Sequence, residues 1–177
     1  RSGILLIHTG LIVLILSEFV TGGFAEEGQM TIMEGGVGTY VEDIRETELA
    51  IIDRSGDRLE TVVAIPESRF DQARPGRPVQ IPAEAAAAKG VELPFDVRVL
   101  RFMTNSHLFS ADGEEAAGLD NPANRGEGRV IVAERRPEVA GTSPTQRANE
   151  SAAYVRLLDR RTGEPLGTYL LSLRFAR

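Results

Sequence analysis

The chain has 177 residues, enough for one ordinary domain or for one domain with an appendage. Its 26 acidic and 20 basic residues give a net charge of −6 with no basic cluster, which argues against nucleic acid as a partner. It contains no cysteine, so disulfides, thiolate metal sites and a thiol nucleophile are excluded.

The first residue is not methionine, so the chain is expected to be a fragment, a processed chain or a trimmed form. From Gly3 to Val20 runs GILLIHTGLIVLILSEFV, in which only His8 and Glu18 are ionisable. A helix over this stretch is about 27 Å long, close to the hydrocarbon thickness of a bilayer at ~30 Å. Residues 1–25 are therefore expected to form one transmembrane helix and its exit. Arg1 precedes the run and Glu26-Glu27 follow it, so the positive-inside tendency puts the N-terminus in the cytoplasm and the acidic body outside. The competing reading is a cleaved signal peptide. Against it, the apolar run exceeds the usual ~7–15 residues and contains a histidine.

Residues 26–177 change to alternating and turn-rich patterns. Gln29–Met33 and Thr39–Val41 read as strands around a glycine-rich turn. ELAIIDRSGDRLETVVAI predicts a hairpin turning at Arg54–Asp57, and AYVRLLDRRTGEPLGTYLLSLRF predicts a second, turning at Arg161–Glu164. Phe95, Val97 and Val99 share one parity before it switches to Leu100 and Phe102, which predicts a bulge or an edge. Pro82–Lys89 predicts a short helix, Arg129–Glu134 a strand, and Ser110–Gly128 and Arg136–Ser151 loops. The expected fold is membrane-anchored and all-β: one N-terminal helix, then an antiparallel β-sandwich or open barrel over 26–177. The apolar C-terminal strand suggests that the domain is incomplete, with a sheet partner downstream.

No metalloprotease, P-loop, nucleophile-elbow or EF-hand pattern is present, and no catalytic residue is assigned. Asp112, Glu114, Glu115 and Asp120 read as a solvated acidic loop before a calcium site. His107 reads as a strand-end residue facing solvent. Glu18 lies about 15 Å beyond His8 along a helix axis, so the two cannot share a proton. His8 differs from all of these. An ionisable group buried at that depth in lipid is costly and usually marks function. Two roles stand open: a hydrogen bond gluing a helix bundle, which residue physics alone favours, or a ligand to a metal. Gly10 is expected to let a helix or a flat macrocycle approach.

The order of parts resembles a known family. The helix element IHTG (His8-Thr9-Gly10 within it), VELPFDVRVLRF, ERRPEVAGT and GEPLGTYLLSL are similar to the ResB-like (CcsB-type) component of system II cytochrome c biogenesis. The resemblance spans nearly the whole chain and is diffuse outside IHTG. It implies a bacterial cytoplasmic membrane protein with a periplasmic β domain and further membrane helices. It also implies a CcsA-type integral membrane subunit and apocytochrome c as partners, haem as the transient cofactor, and His8 as a candidate axial haem ligand. The chain would then be an accessory subunit and not an enzyme by itself. The alternative is a membrane-tethered or secreted β-sandwich that binds or scaffolds without a haem role.

Overall fold

Isoleucine, leucine and valine dominate residues 2–24, and Gly3, Gly10, Gly22 and Gly23 interrupt them at about 1 kcal/mol each in water. An apolar medium removes that weakness, because every backbone group there must be bonded within the segment. The computed structural model describes residues 2–24, 28–30, 32, 34–37, 42–43, 47–55, 61–86, 93–139 and 149–175. It contains one long helix, α1, over Ser2–Phe24. Within it, Ser2–Gly22 is long and apolar enough to cross a membrane, and none of that window is buried against protein. The polar side chains close on the helix itself. Thr9 Oγ1 donates to the Leu5 carbonyl at 2.9 Å, Ser17 Oγ to Leu14 at 3.0 Å and Thr21 Oγ1 to Ser17 at 2.9 Å. Such back-bonding lets a hydroxyl do without water.

The chain divides into two units, Arg1–Thr47 and Glu48–Arg177. The first unit also holds a two-residue antiparallel pair, β1 (Gly28–Gln29) with β2 (Glu42–Asp43). Thr39–Val41, and positions 31 and 33 of the expected strand before it, lie outside the described residues.

The second unit begins with a hairpin, β3 (Glu48–Asp53) against β4 (Thr61–Pro66). Strands β5 (Val79–Ile81), β6 (Phe95–Met103), β9 (Ala152–Asp159) and β10 (Pro165–Ser172) form a four-stranded sheet of order β10-β9-β6-β5. A short helix, α2 (Ala83–Ala86), lies where a helix from Pro82 was expected. Strands β7 (Ser106–Ser110) and β8 (Ile131–Arg135) form a further pair. All ladder pairings are antiparallel, and the sheets among the described residues are open, with no closed barrel.

The parity switch in β6 is a bulge between Val99 and Arg101, and it keeps Phe102 in the same cluster as Val97 and Val99. Before it, Val97 and Val99 join Val63 and Ile65 of β4, Ile81 of β5 and Val155 of β9 in one buried cluster. Phe70 and Phe102 meet edge to face in that cluster, with centroids 5.1 Å apart. Met103, Ala133, Ala152, Tyr154 and Leu170 make a second cluster.

β10 is paired along its length with β9, and its outer edge is met by a loop, so it is not unpaired. Asn124 N donates to the Thr168 carbonyl at 2.9 Å, and Thr168 N donates to Asn124 Oδ1 at 2.8 Å. Gly128 packs against the same edge. A Cβ there would lie 2.5 Å from the Ala123 Cβ and 2.8 Å from the Leu170 Cβ. Gly128→Ala is therefore expected to cost about 1–3 kcal/mol through overpacking, read as a lower urea midpoint.

The β9–β10 turn is built as its sequence predicts. Gly163 takes φ +71°, and Asp159 Oδ1 accepts Arg161 N at 2.8 Å and Thr162 N at 2.9 Å. Bonding of the charged form by the Thr162 amide, then by the Arg161 amide, holds the Asp159 carboxyl below its ordinary value of 3.8. Because the folded value is the lower one, the stability gained is present above about pH 4 and is lost as pH falls through the folded value. Asp159→Asn should flatten that segment of a stability-against-pH curve measured by denaturant unfolding.

Candidate functional site

His8 lies in the first third of α1, with its side chain exposed on the helix surface. Its Nδ1 is 2.7 Å from the Ile4 carbonyl oxygen, one turn earlier. A carbonyl only accepts, so Nδ1 carries the hydrogen, and the lone pair of a neutral ring would lie on Nε2. This is the arrangement found behind metal-bound histidines, where a hydrogen bond to one nitrogen fixes the tautomer and aims the other. Here the helix backbone supplies that bond itself.

Ile4, Leu5, His8, Thr9 and Ile12 line a shallow concavity along one face of α1. The spacing i, i+1, i+4, i+5, i+8 brings them onto one stripe. Thr9 spends its hydroxyl hydrogen on Leu5, so the stripe is apolar apart from the imidazole. Gly10 does not serve it. Two residues at about 100° each carry Gly10 roughly 200° around the axis, to the side away from His8. Space beside Gly10 is open, but a group bound to His8 would not approach over it.

The other sequence candidates separate. Glu18 stays about 15 Å along the axis from His8. His107 is exposed in β7 opposite Glu134, and its ring packs edge to face on Phe109 at 4.7 Å. In the acidic loop, Asp120 Oδ2 takes Arg101 Nη2 at 2.6 Å, and Asp112 accepts the Ser110 hydroxyl. Glu114 and Glu115 lie in a single 3-10 turn, Glu114–Ala116. Among the described residues, no three histidine or carboxylate side chains come together as a metal-binding group.

Two arrangements were not legible in the sequence. Tyr154 is fully buried, its hydroxyl accepts Ala133 N at 3.0 Å, and the Arg101 guanidinium lies 5.4 Å from its ring centre. Burial pushes the phenol upward from its ordinary value, against the smaller opposing effect of the Ala133 bond. The second is a row of side chains across the four-stranded sheet that sets Arg98 against Arg156. Both depend on strand register, which local pattern does not specify.

No family model, no curated protein and no solved structure matches this chain.

Proposed function

We propose that the chain is a membrane component of the cytochrome c maturation machinery, helping to move haem across the membrane and deliver it for attachment to apocytochrome c. The observation that carries this reading is the His8 imidazole. It stands on an apolar helix with Nδ1 tied to the Ile4 carbonyl, which in a neutral ring leaves the lone pair on Nε2. In this account α1 spans a bacterial cytoplasmic membrane once, and the β unit lies on the outer side. That unit is taken as sandwich-like, its layers being the β3–β4 hairpin and the four-stranded sheet that share one core cluster.

The residues of α1 suit haem as cargo. His8 offers a neutral nitrogen base, and Ile4, Leu5 and Ile12 offer an apolar strip for a porphyrin edge. Bound haem supplies the iron that accepts axial ligands and the vinyl groups that become linked to the cytochrome thiols. His8 would be this chain's one hold on the haem iron, and any further ligand would come from the CcsA-type subunit. The chain's own work is to orient the imidazole, exclude water from its surroundings and present the β unit to partners. No group of this chain is assigned a catalytic role.

The test is co-expression of the full-length protein with its CcsA-type partner and an apocytochrome. Haem per purified complex and cytochrome c yield are then compared for wild type and His8→Ala. Loss of a direct ligand should lower haem content by about tenfold or more. Unchanged haem and unchanged yield at equal membrane abundance would remove the ligand role. N-terminal sequencing of the membrane-bound protein gives a second check. The sequence is expected to read through His8, whereas a start at Glu26 would leave the tethered or secreted scaffold as the better account.

A further inference from the structure

Arg98 of β6 and Arg156 of β9 stand directly opposite each other in the antiparallel ladder. The row continues to Gln80 on β5 and Thr168 on β10, one side chain from each strand of the sheet. Opposed residues in such a ladder have Cβ atoms about 5 Å apart, and like charges there destabilise the pair. Among the described residues, no carboxylate lies within ion-pair distance of either arginine. Asp96, two residues before Arg98 on the same face, is held elsewhere. It accepts Ala83 N at 2.9 Å and Gln80 Nε2 at 3.4 Å.

The two guanidinium groups turn apart. Arg98 Nη2 donates to Gln80 Oε1 at 2.8 Å, and Arg156 Nε donates to Thr168 Oγ1 at 3.0 Å. Each is thus oriented by a neutral acceptor that cancels none of its charge. Both side chains are half-buried, and none of their remaining nitrogens is a buried orphan, so those donors face solvent. A planar guanidinium with free N–H edges matches carboxylate and phosphate geometry, and two of them in register match a group with two or more oxygens.

We propose that the Arg98–Arg156 row is a binding site for a compact oxyanion, a phosphate or carboxylate group that takes N–H donors from both guanidiniums. It needs nothing from His8 and stands apart from the haem reading. Binding neutralises the opposed charges and bridges the two central strands of the sheet.

The experiment uses the full chain in detergent micelles at pH 7. Thermal melting is followed in chloride, inorganic phosphate and succinate at matched ionic strength, for wild type, Arg98→Gln and Arg156→Gln. The wild type should gain a saturable rise in Tm, as expected when a ligand binds the folded state only. Both variants should lose that rise, and in chloride they should melt no lower than the wild type. A rise in phosphate alone identifies a phosphate site, and a rise in succinate alone or in both identifies a carboxylate-accepting one. Phosphate also stabilises proteins by exclusion from their surfaces, but that effect does not saturate and is shared by the variants. An equal rise in wild type and variants, or no saturable rise in either anion, overturns the proposal. If a glutamine variant fails to fold, Arg156→Lys keeps the stem and the charge but loses the fork. Its response to the anion should fall several-fold, and an unchanged response overturns the site.

Discussion

Tyr154→Ala is expected to destabilise the β unit by about 3–5 kcal/mol, within the range for truncating a large buried aromatic. Among the described residues Tyr154 is the largest fully buried side chain, and it faces Arg101 on one neighbouring strand and Leu170 on the other. Truncation opens a cavity among Met103, Ala133, Ala152 and Leu170 and strips the Ala133 N–H of its acceptor. Tyr154→Phe separates the two losses. It keeps the ring, removes only the hydroxyl that accepts the Ala133 N–H, and should cost about 1–3 kcal/mol. Urea unfolding of both variants checks the pair. Equal losses would mean that the ring contributes little beyond its hydroxyl; no loss for the phenylalanine variant would mean that the Ala133 tie is not a buried bond.

The second large effect concerns where the imidazole points. Adding Gly10→His to His8→Ala restores a histidine at nearly the same membrane depth, about 3 Å further along the axis, but roughly 200° around it. If the apolar stripe of Ile4, Leu5, Thr9 and Ile12 defines the binding face, haem content should stay at the His8→Ala level, about tenfold or more below wild type. Pyridine haemochrome assay of the purified complex measures this. Full recovery in the double variant would show that depth alone matters and that the stripe plays no part.

Elements whose signal is local were legible in the sequence. The apolar run fixed the helix to within a few residues, and the Asp159–Glu164 turn announced itself through its aspartate and glycine. The parity switch at Val99–Leu100 located the bulge, because a strand that switches parity while keeping the same buried face must carry an extra residue. Short or ladder-dependent elements were not legible. β5 has three residues and no full alternation, and β7 is too polar around Ser106 and His107 to stand out. The outer edge of β10 is closed by Asn124, forty-four residues away, which no local window reveals. Of the candidate site, His8 was visible as a lone imidazole in an apolar run. Its tautomer was not, because that follows from the Ile4 carbonyl one turn back. The opposed arginines were hidden for the same reason as Tyr154: their meaning lies in which residue each one faces.

Chemical rescue tests the role of His8 most directly. In His8→Gly, the side chain is gone and the helix face opens at the position of the imidazole. Adding free imidazole to membranes that carry this variant with its partner subunit should return haem to the complex in a saturable manner and restore the absorption spectrum of a histidine-ligated iron. A spectrum identical to wild type before any imidazole is added would show that the iron takes no ligand from this helix, and the account would fail.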